Sequence, residues 1–343
     1  MTAVLEQPMI DFYRYPPIGG DDWRYAFETA QVRVLELQML SRPTLVDMAN
    51  AAGFEQAVEL LHSSEYVLSA GAGISELERI LSARRSALRQ QFAGWMHNGT
   101  VLTLFRARDD FANLRLAIRR AVTKKPIGRD YSGDGNFPPD QFAEVFESER
   151  YELLPDYMTE ASEQAFVAYY HDKDIRRIDY AIDAAQTEFN LTTAIKLDDV
   201  FLLGLFRIQT DLANIRTMLR LRLTGAEQPS AFLTGGYVER DRLLRGVETG
   251  SESLGALFFA TPYFEAVQAG SAYAASEKSF LKIEQQCEEY LAGYLRSTIA
   301  VAVGPQPVIT YLLLKENEIR MVRLVLTAKK NNLNPKLILD RIS

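Results

Sequence analysis

Apolar residues recur every three to four positions along almost the whole chain, the spacing of helices that bury one face. Residues 25–40 read as one helix, broken at Ser41-Arg-Pro43. Residues 44–61 read as the next, with Leu45, Met48, Ala52, Ala57 and Leu60 as its apolar positions. Gly71-Ala-Gly73 reads as a loop, and Ser75 with Glu78 has the form of a capping box ahead of a stripe of Leu77, Ile80, Leu81 and Leu88. Helical spacing continues over residues 101–122, 141–148, 160–170, 174–189 and 198–223, with Gly/Pro/Asp-rich loops at 124–140 and 225–236. The last third repeats this theme after a break at Gly304-Pro-Gln-Pro307. Two runs rich in β-branched residues, VLTLF at 101–105 and PVITYLLL at 307–314, pass without a turn signal into charged helical pattern. They read as helix rather than as a short buried hairpin. The expected fold class is all-α.

The chain also repeats itself. Asp110, Asn113, Arg115 and Arg119 sit in DFANLRLAIR, and 101 residues later Asp211, Asn214, Arg216 and Arg220 sit in DLANIRTMLR. A looser third copy holds Glu316, Glu318, Arg320 and Arg323 in ENEIRMVR. Each copy ends in a basic, turn-prone stretch, and a long amphipathic helix begins some forty residues before each first arginine, at Leu77, Ile175 and Leu281. The expected organisation is a flexible leader over 1–22 and three helical units over 23–130, 131–228 and 229–343. At roughly 100° per residue, Asp211 and Asn214 share one helix face while Arg216 and Arg220 lie on the other. The structural reading is that the acid and the amide bond a neighbouring helix and fix its register, with the arginines paired to carboxylates of the adjacent unit. The functional reading is a shared arginine surface for an acidic partner.

Composition narrows the chemistry. The 343 residues are 47% apolar and 24% charged, enough for a large core without disulfide or metal. The single cysteine, Cys287, excludes a disulfide framework, and a buried thiol is expected there. His62, His97 and His171 are too far apart in sequence for a histidine-pair metal motif. A net charge of −7 argues against nucleic-acid binding. The most apolar runs are about seven residues long, where a membrane-spanning helix needs about 20. The Pro/Gly-rich start has neither a basic n-region nor an apolar h-region, so a non-secreted chain of a reducing compartment is expected. Asp109-Asp110 and Asp198-Asp199 lack the third acid of a magnesium–diphosphate cluster, since Asn113 and Leu202 stand at the i+4 positions. The stretch Asp130 to Asn136 lacks the alternating ligands of a calcium loop. No catalytic, cofactor-binding or metal residue is expected.

The three-fold motif carries a resemblance. DxxNxR twice and ExxIR once, the YAFETAQVRVLELQMLS opening helix, FLTGGYVERDRLL at 232–244 and the ending KENEIRMVRLVLTAKKNNLNPKLILDRI are similar to the C subunits of archaeal and bacterial V/A-type rotary ATPases, whose eukaryotic equivalent is the d subunit. The resemblance runs from about Tyr25 to the end and leaves aside the 1–22 leader and the 124–140 loop. It implies an all-α, funnel-shaped body of three similar units about a pseudo-three-fold axis. It further implies a non-catalytic rotor adapter on the cytoplasmic face of a membrane, between the central-stalk subunits of D and F type and the proteolipid (c/L) ring. Such an adapter carries the torque that couples ATP hydrolysis or synthesis to proton or sodium transport. The alternative reading is a free-standing helical-repeat scaffold for regulatory partners.

Overall fold

Three helices of 25, 25 and 26 residues organise the chain, and each begins where its sequence supplies a start. The computed structural model describes residues 10–11, 14–62, 64–68, 73–128, 130–225, 231–250 and 252–342. Among these there is no strand, and the helices run α1 Ala26–Glu36, α2 Arg42–Asn50, α3 Phe54–Glu59, α4 Ile74–Trp95, α5 Gly99–Thr123, α6 Pro139–Ser148, α7 Asp156–Asp172, α8 Arg176–Lys196, α9 Val200–Thr224, α10 Arg240–Glu248, α11 Leu254–Leu257, α12 Phe264–Glu277, α13 Leu281–Arg296, α14 Pro305–Lys330 and α15 Pro335–Leu339. The Asn98 side chain accepts from the Thr100 and Val101 amides at the start of α5, and Asp199 accepts from Leu202 at the start of α9. Helix α14 begins with Pro305 at its first turn, where a missing N–H costs nothing. Both runs of β-branched residues lie inside these helices, VLTLF in α5 and PVITYLLL in α14.

Two expectations are corrected. Residues 44–61 are not one helix: α2 stops at Ala51, whose extended backbone ends the turn, and α3 restarts after Gly53. The Ser75–Glu78 capping box does not form. Helix α4 already starts at Ile74 with Gly73 as its N-cap, and Glu78 instead pairs with Arg323 at 3.0 Å.

The chain forms two compact units, Asn98–Glu248 and Ile10–His97 with Thr249–Ser343. In the first, α5 packs against α6, α7 and α8, and α9 packs against α8 and α10. Its core is aromatic and aliphatic, with Phe111, Leu114, Ile118, Phe142, Met158, Ile178 and Ile182 fully buried. In the second unit, α14 packs against α2, α3 and α4, burying Met48, Leu77, Leu81, Val308, Val322, Val325 and Leu326. The helices that enclose α5 follow it in sequence. Most of those that enclose α14 come from the start of the chain, with α13 also against it. Lys329 Nζ donates to the Ala51 carbonyl at 2.7 Å, a bond between residues 278 apart. Cys287 is buried on α13.

Within the 1–22 segment, expected as a loose leader, residues 10–11 and 14–22 are described and belong to the second unit. The Tyr15 ring sits 5.2 Å from that of Tyr290, and its hydroxyl covers bare backbone at Gly293, where a Cβ would come within 2.0 Å. The Asp22 amide donates to the Val303 carbonyl at 2.8 Å, and Asp21 accepts from the Ala302 amide at 2.9 Å.

Candidate functional site

The repeated acids and amides bond mainly loop backbone, and Asp110 also bonds a neighbouring helix through Tyr157 of α7. On α5, Asp110 is fully buried and its carboxylate accepts from the Asn136 and Phe137 amides at 2.9 and 3.0 Å, from Asn136 Nδ2 at 2.8 Å and from the Tyr157 hydroxyl at 2.6 Å. One turn later Asn113 pairs reciprocally with the backbone of Ser132: its Nδ2 donates to the carbonyl and its Oδ1 accepts from the amide, both at 2.8 Å. On α9, Asp211 accepts from the Tyr237 and Val238 amides at 3.0 and 2.9 Å, and Asn214 makes the same reciprocal pair with Leu233 at 2.8 and 2.9 Å. The spacings are identical: 26 and 27 residues from each acid to its two amides, and 19 from each asparagine to its partner.

This clamp explains two glycines. A Cβ on Gly135 would lie 2.2 Å from Asp110 Oδ1, and one on Gly236 would lie 2.1 Å from Asp211 Oδ1. The two glycines follow their acids at the same offset, so in both loops the backbone reaches the carboxylate only where no side chain stands in the way. A buried carboxylate without partners is costly, and here backbone N–H groups provide the partners. The Tyr157 phenol, buried and bonded to Asp110, is pushed well above the usual tyrosine range.

The third long helix uses different chemistry at the same register. Aligning Ile319-Arg320 of α14 with Ile215-Arg216 of α9 puts Glu318 at the Asn214 position and Lys315 at the Asp211 position. Both are buried, and Lys315 Nζ bonds Glu318 at 2.6 Å. Glu318 also accepts from the Leu40 amide at 2.7 Å and the Tyr66 hydroxyl at 2.6 Å, while Lys315 further pairs with Glu65. Burial first, and Glu318 second, drive the Tyr66 phenol far upward; Tyr311 beside it rises to about 12, chiefly through burial. Here too a backbone amide is captured by the long helix, but it belongs to the segment before α2.

The motif arginines divide. Arg115 and Arg119 pair with Asp179 and Asp183 of α8, a helix that falls in the 131–228 segment and in the same compact unit, Asn98–Glu248. Arg216 is half-buried and Arg220 exposed on α9. Arg320 reaches Glu288 of α13 at 3.2 Å, where Arg341 joins it at 3.0 Å, and Arg323 reaches Glu78 of α4. Glu316 is paired with Arg89 at 2.8 Å. The sequence reading therefore missed the loops as partners of Asp110, Asn113, Asp211 and Asn214. The signal was present as Gly135 and Gly236, which repeat at the same 101-residue offset as the motif. The acids bonded in this way orient backbone and hold elements together, and among the described residues no group of three or more His, Cys, Asp or Glu is placed to hold a metal ion.

A helical body whose repeated acids and amides bond its own loops is a scaffold, and comparison with known proteins places it. Residues 29–341 match the model of the ATP synthase (C/AC39) subunit family, and the chain belongs to that family of non-catalytic rotary-ATPase subunits. A curated relative, the C subunit of the V-type sodium ATPase of Enterococcus hirae, is 22% identical over 317 residues, covering 91% of this chain and 95% of the relative. No helix among the described residues is long and apolar enough to cross a membrane.

Proposed function

We propose that the protein is the rotor adapter of a V/A-type rotary ATPase, seated between central-stalk subunits of D and F type and the membrane proteolipid ring on the cytoplasmic side. It carries torque between them, coupling ATP hydrolysis or synthesis to transport of protons or sodium ions. The observation that supports this most is the family match across residues 29–341, together with a body in which long helices are locked to loops through buried bonds. Torque transmission demands stiffness, and close-packed helices with satisfied buried polar groups supply it.

The test is purification of the membrane complex from cells with and without the chain. With it, stalk, ring and catalytic subunits co-purify and ATP hydrolysis drives ion movement. Without it, the ring separates from the stalk and any remaining hydrolysis moves no ions. An intact, coupled complex lacking the chain overturns the reading and favours a free-standing scaffold.

A further inference from the structure

Helix α1 has a second, apolar face opposite its buried one, and the described residues leave that face exposed. Thr29 and Val32, with Tyr25 in the 3-10 turn ahead of the helix, are buried on the inner face. Roughly opposite lie Phe27, Ala30 and Val34, a strip continued by Trp23 in the 3-10 turn and by Leu37 at the C-cap, with Trp23 74%, Phe27 69%, Val34 58% and Leu37 86% exposed. An exposed apolar strip of this length marks an interaction surface. Trp and Phe at its head are the residue types that anchor protein interfaces.

The spacing names the shape of the occupant. Steps of 4, 3, 4 and 3 from Trp23 to Leu37 are the seam spacing of two helices packed side by side. At its far end the seam meets a groove of about 520 Å³ of mixed character, lined by Leu37, Leu40 and Leu60 together with polar residues that include Gln38, Glu65 and Lys315.

Charge narrows the partner further. Residues 21–37 carry four acids, Asp21, Asp22, Glu28 and Glu36, against two bases, Arg24 and Arg33. Both bases are paired within the segment, Arg24 with Asp22 at 2.7 Å and Arg33 with Glu36 at 2.9 Å. An anionic lipid surface requires a basic polar face, and an acidic peptide requires unmatched arginines. Neither is offered. We infer that the Trp23–Phe27–Ala30–Val34–Leu37 face of α1 docks an apolar helix of another subunit of the rotary complex. The inference rests on the chain working inside that complex, as proposed above.

The complex is purified with the photoreactive amino acid benzoylphenylalanine replacing Phe27 or Val34, irradiated, and its cross-linked peptides sequenced. Both positions are expected to join one apolar helical segment of a single other subunit. Cross-links to lipid, to a second copy of this chain, to its own residues or to scattered subunits overturn the inference, as does no cross-link at either position. In parallel, Phe27→Glu and Val34→Glu are expected to leave the melting midpoint of the isolated chain within about 2 °C of the unaltered chain. They are expected to lower its recovery in the complex about tenfold or more. Trp23→Ala is the milder companion, with a smaller loss in the same direction. Undiminished recovery of Val34→Glu overturns the inference. Absence of the unaltered chain from the complex instead sinks the rotor reading, so the two failures are distinct.

Discussion

The loops held by α5 and the chain start held by α14 solve the same problem with different chemistry. In each case a buried side chain on a long helix captures a passing backbone amide: Asp110 and Asn113 on one, Glu318 on the other. On α5 the captured segment follows 19 to 27 residues later, and a carboxylate with a neutral amide suffices. On α14 it comes from 278 residues away, and the carboxylate is held by Lys315 as well. A local loop is delivered by the chain itself, because closing a short loop costs little entropy. A segment from the far terminus must be recruited, and the cost grows only slowly with length but is still larger. The difference teaches that a repeat can keep its geometry while exchanging its residues, provided one acceptor remains at the capturing position.

The strongest way to break this comparison is to remove the acid. Asp110→Ala strands two amides, the Asn136 side chain and the Tyr157 hydroxyl in a dry site. It is expected to destabilise its unit by about 3–5 kcal/mol, since each buried group left unsatisfied costs its full desolvation. Asp211→Ala should behave alike. Hydrogen exchange at the Asn136 and Phe137 amides reports the loss locally, and exchange no faster than in the unaltered protein would separate the clamp from stability.

Glu318→Ala is expected to cost about 3 kcal/mol, because it strips Lys315 of a buried carboxylate partner and frees the Leu40 amide. Here the two regions should diverge. Adding Lys315→Met removes the buried cation and is expected to return about half of that loss, read as a rise in the melting midpoint of the double variant. No such rescue is expected for Asp110, whose carboxylate is met by amides and a phenol.

How far this was legible in sequence follows from the same contrast. The long helices announce themselves by period, and the Asp/Asn/Arg motif by its 101-residue offset. The loop partners did not, because YSGDGNF and FLTGGYV share little beyond a glycine and an aromatic residue. Their common function is to present backbone, which side-chain identity records poorly. The Lys315–Glu318 substitution hid the third copy, since matching acid to acid slides the register and selects Glu316, which instead pairs with Arg89. The enclosure of α14 by α2, α3 and α4 joins the two ends of the chain, and no local pattern carries that.

Gly135→Ala and Gly236→Ala sharpen the equivalence of the two loop clamps. Each added methyl would collide with the carboxylate it serves, and either the loop or the acid must shift, at about 1–3 kcal/mol. Equal losses at both sites, measured by thermal melting, support one shared geometry, whereas a neutral result at one would mark that loop as loosely held.

A pH titration compares the same two regions through their tyrosines. Tyr157 beside Asp110 and Tyr66 beside Glu318 are both held un-ionised by burial, and Tyr311 rises to about 12. An unfolded tyrosine ionises near pH 10. The stability gained by burying these phenols neutral is therefore complete below that value and is lost as pH rises from about 10 through 12 and beyond. Tyr66→Phe is expected to delete one late-titrating phenol from the ultraviolet tyrosinate titration and to soften the alkaline loss by about 1 kcal/mol. Loss of a phenol that titrates near pH 10, in place of a late one, would put Tyr66 in water.

The smallest effect concerns the seams beside the clamps. Between α5 and α8 the long helix carries the arginines, Arg115 and Arg119, and α8 carries the acids. Between α14 and α4 the polarity is mixed: Arg323 faces Glu78, but Glu316 faces Arg89. Glu78 stands 101 residues before Asp179, and Arg323 lies one position before Leu324, the residue in register with Arg119, so Arg323–Glu78 has the polarity of Arg119–Asp179 from a neighbouring position, while Glu316–Arg89 is reversed. The side chains of Arg323 and Glu78 are 39% and 45% exposed, against 14% and 13% for Arg89 and Glu316. A double-mutant cycle is expected to give about 0.3 kcal/mol for the exposed pair and about 1 kcal/mol for the sheltered one. If the exposed pair couples as strongly as the sheltered one, solvent does not set the strength of this seam.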